Sequence, residues 1–157
     1  MTTTNTTHSV NFDVDIVRSI AGDALAGLQD KAGNPVFWHA SDIAHDLERA
    51  GKSTATVAVA LLHDVLEDSD WDAKRLHREL VTRASSKLDA KAIVLSVLIL
   101  TRKQGETYAE YIDRVKDSRG GAVAVKIEDL RHHLKNPDAI SESLRKRYEK
   151  ALHVLTD

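Results

Sequence analysis

The sequence predicts an all-α fold, and three observations carry that expectation. Apolar residues recur at helical spacing along most of the chain. Only two prolines and seven glycines interrupt its 157 residues, which leaves room for long helices. No convincing pair of alternating runs offers strands, and no internal repeat appears.

In chain order, residues 1–10 read as a polar, mobile tail, with no apolar stretch that would make a signal peptide. Residues 11–157 read as one domain, long enough to bury a real core. Val14, Val17, Ile20, Ala21, Ala24 and Leu28 mark a first helix over Asp13–Leu28. Asp30–Pro35 is a turn. A second helix spans Phe37–Ala50 and stops at Gly51. Ser53 or Thr54 caps a third, which runs through VAVALLHDVLED (Val57–Asp68). Asp72–Val81 is a short amphipathic helix. Ser86–Leu100 contains AIVLSVLIL, strand-like by propensity, but its apolar character exceeds strand length and predicts a helix. Thr107 caps a helix to about Asp117, and Gly120-Gly121 separates it from the next, Ala122–Lys135. Asn136-Pro137 ends that one, and Ser141–Leu155 is the last.

Composition narrows the function. Hydrophobic residues are 42% and charged residues 29%, as in soluble globular chains. A net charge of -2 gives no electrostatic case for a nucleic-acid or membrane partner. Ala92–Leu100 is too short to cross a bilayer. The absence of cysteine excludes disulfides, zinc–thiolate sites and thiol nucleophiles, and suits a cytoplasmic protein.

Val57–Asp68 is the stretch around which the chain is organised. It is apolar on all sides before His63, as a core helix is. Its end nevertheless carries His63, Asp64, Glu67 and Asp68, and charged groups are rarely buried without a partner or a metal. One helical turn separates His63 from Glu67 and Asp64 from Asp68. This is half of a metal site. His39, His63, Asp64 and Asp129 together would bind a divalent ion with imidazole and carboxylate, a donor set suited to manganese or ferrous iron, and less distinctively zinc. Such an ion acidifies water into a nucleophile for phosphorus. Glu67 and Asp68 could orient that water or move protons. A second His-Asp, His45-Asp46, lies roughly 240° around the second helix from His39 and among other charges, so it reads as a solvated face.

DKAGNPVFWHA (Asp30–Ala40), ALLHDVLED (Ala60–Asp68) and VKIEDLRHH (Val125–His133) resemble the HD-domain metal-dependent phosphohydrolases. Within them, the chain is most similar to the hydrolase domain of the RelA/SpoT alarmone enzymes and their small single-domain relatives. The resemblance covers about Gly27–Leu155. It implies an HD-domain helical bundle, a manganese ion on His39, His63, Asp64 and Asp129, and Glu67 and Asp68 as catalytic carboxylates. It also implies cleavage of the 3′-pyrophosphate from guanosine tetra- or pentaphosphate. A synthetase-like second half has no counterpart here. Two positions depart from the family: Asp30 where its long enzymes have a base-stacking arginine, and His133 where they have an asparagine. Both bear on substrate recognition rather than on metal, and they predict weak recognition of the base.

Lys31 and Lys126 are candidates for phosphate contact, Lys126 equally a surface lysine. Tyr108 and Arg114 are candidates to line the pocket, with Tyr108 equally readable as core, and His133 should face the pocket from one turn past Asp129. His132, His77, His45 and His153 carry no assigned role, and Arg145-Lys146-Arg147 reads as a solvated basic face. Rival functions are the same chemistry on NADPH or a nucleoside monophosphate, and a non-catalytic nucleotide sensor or antitoxin acting on a cognate alarmone synthetase.

Overall fold

The computed structural model describes residues 11–157, so the expected tail at 1–10 lies outside the described residues. The all-α expectation is borne out. The helices are α1 (Phe12–Ala24), α2 (Val36–Arg49), α3 (Thr54–Leu62), α4 (Val65–Asp68), α5 (Ala73–Arg83), α6 (Ala90–Ile99), α7 (Tyr108–Lys116), α8 (Ala122–Leu134) and α9 (Glu142–Thr156). Among the described residues the only β-type pairing is an isolated bridge between Gln29 and Pro35.

α3 is the axis of the bundle and packs on α1, α2, α6 and α8. Every residue from Val57 to Leu62 is at most 2% exposed, which is why the helix has no polar face. Burying a Val or Leu contributes roughly 1.5–3 kcal/mol, so this short helix is a large share of the core. α8 reaches α3 closely at its start. A Cβ on Gly121 would stand 2.5 Å from Thr56 Oγ1, so only glycine lets the two helix starts meet. That contact sets the register in which Asp129, two turns into α8, comes to face His63.

Several boundaries differ from expectation for local reasons. α1 ends at Ala24 rather than Leu28, because the chain turns through Gly27 at φ +77°. α6 starts at Ala90, not Ser86, where Asp89 Oδ1 accepts the Ala92 N–H as a cap. The AIVLSVLIL segment buries Ile93, Val94, Val97 and Leu100 while Leu95 and Leu98 stay exposed, a helical and not a strand pattern. The largest difference is in the central stretch. α3 and α4 are separate helices, divided at His63-Asp64, where Asp64 adopts φ -97°, ψ -2°. The kink falls on the two residues expected to bear the chemistry.

Candidate metal centre and anion-lined pocket

His63 is the C-cap of α3 and only 4% exposed. Its Nδ1–H donates to the Ala60 carbonyl at 2.6 Å, which fixes the tautomer and leaves Nε2 as the outward atom. Nε2 stands 3.2 Å from Asp64 Oδ2 and 3.7 Å from Asp129 Oδ1, yet it has no partner in hydrogen-bonding geometry. A buried nitrogen between two carboxylates calls for positive charge, either a proton on the ring or a bound cation in its place. Burial opposes charge on the ring, but Asp64 and Asp129 outweigh it and hold the imidazole well above its ordinary pKa.

Asp129 lies on α8 and is 5% exposed. Its Oδ2 accepts from Lys126 Nζ at 2.7 Å, and its Oδ1 faces His39 Nε2 at 2.7 Å and His133 Nε2 at 3.3 Å. Burial would raise this carboxyl; Lys126, His133, His39 and His63 outweigh that and keep it well below the usual carboxylate range. The donor atoms of His39, His63 and Asp129 lie within 4.8 Å of one another, a spacing one ion could bridge. Asp64 adjoins them through His63. The donor set is nitrogen and carboxylate oxygen, so the residues present fit a borderline divalent ion.

Glu67 and Asp68 follow on α4. Glu67 Oε1 accepts the Arg102 N–H at 2.8 Å, which ties α4 to the Thr101–Thr107 loop. Burial and nearby Asp64 raise its pKa against the pull of that N–H. Burial, Asp64 and Glu67 push Asp68 up to about 6. Both carboxyls are thus biased toward accepting a proton.

A cavity of about 580 Å³ opens beside this cluster. Its lining includes His63, Asp64, Glu67 and Asp129 together with Arg102, Lys103 and Arg147. Among the described residues, no carboxylate side chain pairs with those three cations, whereas Lys126, also in the lining, is paired with Asp129. Tyr108, Tyr148 and His133 supply aromatic wall, with the Arg147 guanidinium 4.9 Å over the Tyr108 ring. The pocket therefore joins a cation-seeking His/Asp cluster to cations free to meet an anion.

No family model matches the chain. A probable guanosine-3′,5′-bis(diphosphate) 3′-pyrophosphohydrolase from Synechocystis is 27% identical over 81% of this chain and 17% of its own length. A probable GTP pyrophosphokinase from Mycobacterium leprae is 26% identical over 74% of this chain and 15% of its own length. A guanosine-3′,5′-bis(diphosphate) 3′-pyrophosphohydrolase from Haemophilus influenzae is 25% identical over 83% and 20%. The chain spans at most a fifth of the length of these curated relatives. A solved structure described as a metazoan ortholog of SpoT that hydrolyzes ppGpp superposes with a TM-score of 0.70, at 17% identity, over 91% of this chain and 84% of that one. The chain shares the fold of that solved structure. The resemblance to that family holds, and the fold is an HD-type helical bundle.

Within this SpoT-type fold the expected site residues part company. His39, His63, Asp64, Asp129, Glu67, Lys126, Tyr108 and His133 converge on one cluster and its cavity. Asp68 lies on the next turn, outside the cavity lining. Lys31 does not reach it: it is exposed in the Asp30–Pro35 turn, where Asp30 Oδ1 accepts the Ala32 and Asn34 N–H groups. Asp30 is spent on its own turn. Arg114 also departs from expectation. Its guanidinium grips both Glu106 carboxylate oxygens and the Ile99 and Thr101 carbonyls, so it staples the Thr101–Thr107 loop rather than lining the pocket. Two groups without an expected role do belong to the site. Arg147 is exposed, as expected, and also lines the cavity. His132 Nδ1 stands 2.6 Å from His39 Nδ1. Its place three residues past Asp129, on the same face of α8, was the available signal. Arg102 and Lys103 sit in a loop and left no periodic trace.

Proposed function

We propose that this chain is a divalent-metal-dependent phosphohydrolase that removes pyrophosphate from the 3′ position of guanosine tetra- or pentaphosphate, leaving GDP or GTP. The observation that carries the reading is the mixed lining of one pocket: a buried His/Asp cluster asking for a cation, and Arg102, Lys103 and Arg147 without carboxylate partners. A substrate with phosphate at two positions satisfies both sets of groups. A nucleoside monophosphate satisfies only one, which ranks it below the tetraphosphate. The similarity to two 3′-pyrophosphohydrolases supports the same reading.

His39, His63, Asp64 and Asp129 would hold the ion, and manganese is the metal proposed. When bound, the ion supplies Lewis acidity, lowering the pKa of water and drawing charge from the phosphoryl group. The protein residues do the rest. Glu67, raised in pKa and facing the cavity, accepts the proton of the attacking water, with Asp68 as the next carboxyl outward. Lys126 neutralises charge beside Asp129. Arg102, Lys103 and Arg147 bind the 5′-phosphates, and Tyr108 and Tyr148 flank the nucleoside. On this reading the protein works in the cytoplasm with its nucleotide.

The test is pyrophosphate release from guanosine tetraphosphate and orthophosphate release from NADPH and nucleoside monophosphates, with and without Mn²⁺. Metal-dependent release from the tetraphosphate, abolished by chelation, is expected. No turnover of it at any metal concentration would refute the proposal.

A further inference from the structure

We propose that His132 is a positioning residue for the metal centre, acting through His39 by exchanging a proton with it when the ion binds. The inference rests on the reading that the His39–His63–Asp129 cluster holds a divalent ion.

Two imidazole nitrogens 2.6 Å apart share one proton. Two protons would collide, and none would leave two lone pairs facing each other. The other nitrogen of His39 decides which ring owns it. Without an ion, His39 Nε2–H donates to Asp129 Oδ1 at 2.7 Å, so His39 Nδ1 is bare and His132 Nδ1–H must donate to it. An ion in the cluster takes the His39 Nε2 lone pair. His39 must then carry its proton on Nδ1, and His132 must accept there. The shared proton passes from His132 Nδ1 to His39 Nδ1, the proton displaced from His39 Nε2 leaves to solvent, and His132 takes one from solvent on Nε2, which faces the exposed Asp42 Oδ2 at 3.6 Å. Both rings stay neutral, and only the tautomers invert. His132 can serve both states because an imidazole is donor and acceptor in one ring.

Geometry supports this role over that of a bystander. The two rings lie 4.7 Å apart between centroids, and His132 sits on the face of α8 that carries Asp129. Metal-bound histidines generally donate their second nitrogen to a fixed acceptor, and loss of that acceptor costs about 10- to 100-fold in metal affinity. Here the acceptor is another histidine, which also keeps the ligand in hydrogen-bonded order before the ion arrives.

Mn²⁺ titration followed by the electron paramagnetic resonance of free Mn²⁺ tests the proposal on the full chain. His132→Leu should weaken binding about 10- to 100-fold, and His132→Gln, whose amide can turn either group to His39, should recover most of it. Nitrogen-15 NMR of the wild-type histidines, free and loaded with Zn²⁺, reads the tautomers directly. His39 should carry its proton on Nε2 when free and on Nδ1 when loaded, and His132 should change in the opposite sense. Unchanged Mn²⁺ affinity in folded His132→Leu overturns the proposal, and so does a His39 tautomer that does not invert. If His132→Leu fails to fold, the wild-type tautomers still decide. Absence of Mn²⁺ binding by the wild type would instead sink the metal reading itself, along with this inference.

Discussion

His45 and Asp46 sit on the outer side of α2, where the imidazole is exposed and the carboxylate reaches Lys135 Nζ at 3.5 Å. His63 and Asp64 sit at the kink between α3 and α4, with the His63 side chain 5% exposed and Nε2 directed at two carboxylates. The dipeptide is the same. At the surface, water screens each charge and a salt bridge is worth ~0–1 kcal/mol. In the interior, the same two side chains cannot be left uncompensated, and their pKa values move apart. What distinguishes the copies is the apolar run before them. Val57–Leu62 carries His63 into the core, while His45 is carried by a helix whose outer face meets water.

The sharpest way to break the comparison is to remove the buried copy. His63→Ala or Asp64→Ala should abolish Mn²⁺ binding and turnover together, a larger loss than the ~10- to 100-fold expected for an outer partner. Metal analysis of purified variants checks it, and full occupancy in Asp64→Ala would reject Asp64 as a ligand. Next, Glu67→Gln should keep metal and fold but lower kcat by ~10²–10⁴-fold, because an amide cannot take the proton of water. Kinetics at equal metal content would show it, and wild-type turnover would leave Glu67 a tether for Arg102 only. Among the pocket's cations, Arg147→Ala should raise KM for guanosine tetraphosphate by roughly 10- to 100-fold with kcat little changed, as for loss of a charge-assisted contact.

A smaller effect concerns the loop that frames the buried copy. Hydrogen bonds from Arg114 and from the Lys103 N–H hold the Glu106 carboxyl down at about 2. A carboxyl with a depressed folded-state pKa stabilises the fold above its ordinary value of 4.5, and that stabilisation is lost as pH falls toward 2. Glu106→Gln should therefore lower Tm at neutral pH and narrow its gap to wild type between pH 4.5 and 2. Thermal melts across that window test it, and a gap that does not change with pH would contradict the assignment. Smallest of all, His45→Ala and Asp46→Ala should leave metal binding and turnover unchanged and shift stability within about ±0.5 kcal/mol.

The helices were legible because their information is local. Apolar spacing marks α1, α2, α5, α7 and α9, and the caps at Ser53, Asp72, Thr107 and Ser141 stand immediately before the residues they cap. The chemistry at His63-Asp64 was legible for a related reason, since charged residues at the end of an apolar run announce themselves against their neighbours. The division of α3 from α4 was not, because a kink of two residues leaves the hydrophobic pattern intact.

The sequence by itself determined the all-α class, the central helix and the residue types that can hold a divalent ion, since periodicity and composition act within a few residues of one another. Only the tertiary structure decided which other side chains join them. Whether His132 meets His39 depends on how α8 lies against α2, and whether Arg147 faces a cavity or water depends on how α9 lies against α7 and α8. Lys31 and Arg114 carry charges fit for phosphate, yet Lys31 is left on an exposed turn and Arg114 is consumed by Glu106 and two carbonyls. A side chain's charge is a property of its own residue; the partner that claims it is set by packing between elements far apart in the chain.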